Sequence, residues 1–114
     1  MKIKDVAEIL QGEILCCEEQ ADREVQAACG SDMMSDVLAY VKDQALLITG
    51  LCNPQVIRTA VMMDMICIAF VRGKEPTAEM IELARAKGIT IIRTPRRMFS
   101  ACGLLYSAGL KSGK

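Results

Sequence analysis

Ala45-Leu46-Leu47-Ile48-Thr49-Gly50-Leu51-Cys52-Asn53-Pro54-Gln55-Val56-Ile57-Arg58-Thr59-Ala60 is the stretch on which the fold turns. Ala45 to Thr49 is a near-continuous apolar run, the pattern of a strand covered on both faces of a parallel sheet. Asn suits a helix N-cap and Pro the first helical position, so a helix starts at Asn53-Pro54. Val56, Ile57, Ala60 and Val61 share one face of that helix, while Gln55, Arg58 and Thr59 face outward. A buried strand leading through a short loop into a capped helix is a βα unit.

The same alternation continues downstream. Ile66 to Val71 is a second apolar strand, and Arg72-Gly73-Lys74-Glu75-Pro76 turns the chain into a helix from Thr77 to Lys87, closed by Gly88. Ile89 to Thr94 is a third strand, and Pro95 opens a last helix reaching about Leu110. An order of β-α-β-α-β-α with short connections implies parallel strands joined by right-handed crossovers. Upstream, Ile3, Val6, Ala7 and Leu10 repeat at helical spacing, and Gly12 ends that helix. Ile14 to Cys17 reads as a strand, Glu18 to Arg23 as a loop, and Glu24 to Cys29 as another strand. Ser31-Asp32 then introduces a helix over Ser35 to Val41. The expectation is one α/β domain over residues 1–110, with a mainly parallel sheet of about five strands and a frayed tail at 111–114.

Composition narrows the function classes. The chain has 114 residues, the size of one domain, and half are apolar. Fourteen basic and fourteen acidic side chains cancel, which removes the electrostatic reason to expect nucleic acid or a membrane surface as partner. The longest apolar run, Met65 to Val71, is far short of the roughly 20 residues of a membrane helix. The start, Met1-Lys2-Ile3-Lys4-Asp5, lacks the apolar segment of a secretory signal, so a cytoplasmic location is expected. In that reducing setting the six cysteines read as thiols, and their spacing matches no metal motif. Met62, Met63 and Met65 read as core or interface fillers.

There are no histidines, which removes the commonest general base and every Ser-His or Cys-His pair. Neither glycine-rich phosphate motif occurs. If an active site existed, Asp32, Asp36, Cys52 and Arg72 would be the residues to inspect. In a parallel sheet, ligands bind beyond the carboxyl ends of the strands. Three segments meet that description: Thr49-Gly50-Leu51-Cys52-Asn53, Arg72-Gly73-Lys74 and Thr94-Pro95-Arg96-Arg97. Arg96 and Arg97 fall in what reads as a first helical turn, where positive charge opposes the macrodipole. With Arg93 and Arg72 they form a candidate cradle for a phosphate or carboxylate, set against the plainer reading of solvated surface arginines.

Gly50 to Ala60, Phe70-Val71-Arg72-Gly73-Lys74-Glu75-Pro76 and Ala84 to Ile89 resemble DRTGG-domain proteins, most closely the stand-alone clostridial-type members often found beside iron-hydrogenase and related electron-transfer genes. The match spans almost the whole chain and takes in Ser31-Asp32. The candidate ligand-binding set is therefore Ser31, Asp32, Thr49, Gly50, Cys52, Asn53, Arg72, Gly73, Lys74, Thr94, Arg96 and Arg97. The family's fold is similar to the N-terminal domains of HPr kinase and the Mur ligases. The resemblance implies a three-layer α/β/α domain, commonly homodimeric. DRTGG modules accompany pyrophosphatase, CBS or phosphotransacetylase domains in larger proteins, which suggests regulation. The signature is degenerate: its Asp-Arg falls near Leu51-Cys52, and its Thr-Gly-Gly at Val71-Arg72-Gly73.

These readings favour a non-catalytic regulatory module that senses a small ligand such as a nucleotide or phosphate. It would act with a hydrogenase-like or other redox or energy-metabolism partner and need no cofactor. The alternative is a structural adaptor subunit without a small-molecule ligand. A third reading gives the cysteines a redox or iron–sulfur role, against which their spacing argues.

Overall fold

A computed structural model describes residues 1–39 and 44–112. The elements run in the order α1 (Ile3–Ile9), β1 (Glu13–Cys16), a 3₁₀ turn (Glu18–Gln20), β2 (Ala27–Gly30), α2 (Met34–Leu38), β3 (Ala45–Thr49), α3 (Pro54–Met62), β4 (Cys67–Phe70), α4 (Ala78–Lys87), β5 (Thr90–Arg93) and α5 (Met98–Ser107). The expected end of the second helix at Val41 lies outside the described residues, as does the Gly113-Lys114 end of the tail. Within the expected tail, the Lys111 carbonyl accepts from Ala28 N on the outer edge of β2.

The five strands form one sheet in the order β1-β5-β4-β3-β2. β2, β3, β4 and β5 are parallel, and β1 closes the far edge antiparallel to β5, with an irregularity between Ile14 and Cys16. β3 and β4 are buried along their whole length. Ala45, Leu47 and Ile68 face one core with Val37, Val56, Ile57, Met80 and Ala84 of α2, α3 and α4. Leu46, Ile48 and Ala69 face the other, with Ile3, Val6, Ala101 and Leu105 of α1 and α5. The architecture is the expected α/β/α sandwich, and the continuous apolar strands follow from helices on both faces.

Local capping chemistry places α3 and α4 where the sequence does. Asn53 Oδ1 accepts from Gln55 N at 2.9 Å with Pro54 behind it. Thr77 Oγ1 accepts from Met80 N at 3.2 Å, and Gly88 closes α4 at φ 72°. Three expectations need correction. Thr59 does not face outward: it is fully buried, because α3 packs against α4 as well as the sheet. Gly12 does not take the left-handed position after α1; Gln11 does, at φ 53°. Gly12 N still bonds Ala7 O at 2.8 Å, so the helix-ending motif is present but shifted by one residue.

The third correction concerns the last helix. Pro95 does not open it; α5 begins at Met98 with Arg97 as N-cap. Thr94 Oγ1 accepts from Arg96 N at 3.1 Å and donates to Leu10 O at 2.7 Å, which holds residues 94–96 in a turn. The methionines divide: Met63 and Met65 are buried, whereas Met62 is exposed.

Candidate functional site

Parallel pairing of β2, β3, β4 and β5 brings their carboxyl ends to one side of the sheet, where four loops meet. The centre is a small polar knot. Asp32, just past β2, accepts from Thr49 Oγ1 at 3.1 Å and Gly50 N at 2.6 Å through its Oδ1. Thr49 Oγ1 in turn accepts from Leu51 N at 3.1 Å. The buried Thr49 hydroxyl therefore ties the β3 loop to the β2 loop.

Arg72 lies over this knot from the β4 loop. A Cβ on Gly50 would stand 2.7 Å from Arg72 Nη2 and 3.0 Å from its Cζ, so the guanidinium occupies the space that the glycine leaves. Arg72 holds a left-handed backbone at φ 61°, rare for a residue with a side chain. Arg72 N bonds Arg96 O at 2.7 Å and Gly73 N bonds Thr94 O at 2.8 Å, so the strained turn is fastened to the β5 loop. Burial pushes the Cys52 thiol on the β3 loop above its ordinary value, and the charge of Lys74 on the β4 loop pulls it partly back.

Asp32, Thr49, Gly50 and Arg72 thus gather in one place, with Cys52 further along the β3 loop and Gly73 and Lys74 further along the β4 loop. The remaining candidates, Arg97 aside, are engaged elsewhere. Ser31 Oγ is bonded to Met33 N at 3.0 Å, and Asn53 Oδ1 caps α3. Thr94 serves its own turn, and Arg96 Nη2 donates to Gln11 Oε1 at 2.8 Å on the α1 side. Arg97 is exposed ahead of α5. Neither arginine stands in a first helical turn, so the macrodipole argument for them loses its premise. Arg93 is not available to a ligand either, since its guanidinium is bonded to Glu75 and lies 3.6 Å from Glu13.

Sequence reasoning missed Gln11, Glu13 and Glu75 as neighbours of this edge. No local sequence signal marks Glu13, because its place opposite Arg93 comes from β1 pairing antiparallel to β5. Once these acids are spent on Arg93, the edge is positive. Among the described residues, no ion pair neutralises Arg72, Lys74, Arg96 or Arg97. By contrast, a cleft of about 760 Å³ at the amino end of β2 is rimmed by Asp5, Glu8 and Glu24, which disfavours anions.

No disulfide links the six cysteines, and among the described residues no group of three His, Cys, Asp or Glu side chains stands close enough to hold a metal ion. No helix among the described residues is long and apolar enough to cross a membrane.

The comparisons with known proteins bear on this site through the fold. A family model described as the DRTGG domain matches residues 5–108. No curated protein matches the chain. Among solved structures, the chain is similar to the CBS and DRTGG domains of the regulatory region of Clostridium perfringens pyrophosphatase, complexed with its activator diadenosine tetraphosphate. The TM-score is 0.74 at 19% identity, over 98% of this chain and 48% of that one. The chain therefore spans about half the length of that structure, and the likeness is one of fold.

Proposed function

This chain belongs to the DRTGG domain family, and from that premise we propose that it is a non-catalytic regulatory module that senses a small phosphate-bearing ligand at the carboxyl ends of its parallel strands. The observation that carries the reading is the Arg72 guanidinium set over the Asp32–Thr49–Gly50 knot, with neither Arg72 nor Lys74 of the same loop held in an ion pair among the described residues. A positive edge favours a phosphoryl group by charge, and the Arg72 guanidinium supplies the donors. The solved relative lends support, since it contains a DRTGG domain in a regulatory region complexed with a nucleotide activator.

Regulation implies something to regulate. A redox or energy-metabolism enzyme is the proposed partner, with the module itself as a homodimer in the cytoplasm. Thermal unfolding at low salt, with phosphate, pyrophosphate, acetyl phosphate, AMP, ATP and diadenosine tetraphosphate each at millimolar concentration, tests the ligand. A ligand at one hundred times its Kd stabilises by about 2.7 kcal/mol, a readily visible rise in Tm. No rise with any of these compounds would sink the reading.

The adaptor reading has its own observation: Phe99 and Tyr106 of α5 are 89% and 60% exposed. An adaptor should sediment with a stoichiometric partner from native extract without added ligand.

A further inference from the structure

Asp32 and Arg72 flank one point above Gly50 without closing on each other. A Cβ on Gly50 would lie 2.7 Å from Arg72 Nη2 and 3.4 Å from Asp32 Oδ1, yet no ion pair joins the two side chains. Asp32 Oδ1 is engaged by Thr49 Oγ1 and Gly50 N, which fixes the carboxylate in place. Its Oδ2 accepts no hydrogen bond among the described residues. Both side chains are exposed. The edge therefore offers a guanidinium with unused donors beside a carboxylate with one unused acceptor.

We propose that this pair selects a phosphoester carrying a hydroxyl near its phosphate, a ribonucleotide or a sugar phosphate, over bare phosphate or pyrophosphate. The proposal rests on the anion-site reading above and sharpens it. Any anion that Arg72 attracts is also repelled by Asp32, because like charges a few ångströms apart raise each other's energy. The acidic hydroxyl of a bare phosphate sits on the anion itself, so donating it to Oδ2 brings the full negative charge against Asp32. A ligand hydroxyl beside the phosphate instead donates to Oδ2 and turns the repulsive neighbour into a charge-assisted contact. Asp32 thus serves as both the attractive element for one ligand class and the repulsive element against the other. Arg72 also holds a left-handed backbone at φ 61°, a strained conformation of the sort found at ligand clamps.

Calorimetric titration of the whole chain with AMP, ribose 5-phosphate, 2′,3′-dideoxy-AMP and pyrophosphate tests this. AMP is expected to bind about tenfold more tightly than pyrophosphate, and removal of its ribose hydroxyls to cost about tenfold. Equal binding of AMP and ribose 5-phosphate would identify a sugar phosphate as sufficient; tighter AMP would identify the nucleotide. Asp32→Asn keeps an acceptor for Thr49 and Gly50 but removes the charge, and should bring AMP and pyrophosphate within about threefold of each other. The dideoxy comparison needs no variant, so it stands even if that substitution disturbs the loop. Pyrophosphate binding as tightly as AMP, or an unchanged ratio in Asp32→Asn, would overturn the selectivity and leave the anion site intact. Absence of binding by every compound would overturn both.

Discussion

Gly12 and Gly50 lack a Cβ for different reasons, and the difference separates folding from function. A Cβ on Gly12 would lie 2.7 Å from Ile92 Cγ2 and 3.0 Å from Arg93 O. Strand backbone cannot yield, so Gly12→Ala should cost about 2 kcal/mol and lower Tm by about 8 °C in a circular dichroism melt. A Cβ on Gly50 is crowded only by the flexible tip of Arg72, with Asp32 Oδ1 at an ordinary contact distance of 3.4 Å. Gly50→Ala should therefore change stability by less than about 1 kcal/mol while displacing the guanidinium, and weaken anion binding about tenfold in calorimetry. Arg72→Gly takes the argument further. It relieves the left-handed backbone at φ 61°, worth about 1 kcal/mol, and removes the cation. The variant should unfold at a higher temperature and bind anions more weakly; a lower Tm would show that the guanidinium holds the fold together. Arg72 was legible in the sequence as the residue replacing a signature glycine. Its backbone conformation gives the physical reason a glycine belongs there.

Elements set by local chemistry were readable, and those set by contacts between distant segments were not. β3, α3 and α4 follow from an apolar run, an Asn-Pro pair and a Thr–Gly frame, all confined to neighbouring residues. The start of α5 depends instead on Thr94 bonding the Leu10 carbonyl, a contact no local pattern announces. The candidate site divides in the same way. Loops at strand ends follow from topology, whereas the loss of Arg93 to Glu75 and Glu13 requires the fold. Thr59 shows the cost of a face misread. Its helix is covered by α4 as well as the sheet, and its Oγ1 is buried without a hydrogen-bond partner. Thr59→Val keeps the branched shape and removes an unsatisfied hydroxyl. It should stabilise the protein by about 1 kcal/mol in urea unfolding, with an unchanged m-value. Destabilisation would show that the hydroxyl has a partner in solution.

On the scale of the whole molecule, a core this rich in thiols ties stability to alkaline pH. Burial pushes the Cys17 thiol from its ordinary 9.0 to about 11, with the neighbouring Cys16 adding to the shift. Cys67, fully buried between β3 and β5, is pushed up by burial as well. Above pH 9 the unfolded chain releases these protons while the folded chain keeps them. The folded state then binds more protons than the unfolded one, so unfolding becomes easier as pH rises. Between pH 9 and 11 each such thiol should lower stability with a slope approaching about 1.4 kcal/mol per pH unit. The surface pair of Lys4 and Asp22 also loses its attraction as Lys4 deprotonates, so a fall in Tm alone does not identify the thiols. Comparison with Cys17→Ala does, because the lysine contribution is common to both proteins. The variant should lose stability less steeply than the parent above pH 9, with parallel curves below it. Parallel curves across the whole range would mean that the Cys17 thiol ionises as freely in the folded protein as in the unfolded chain.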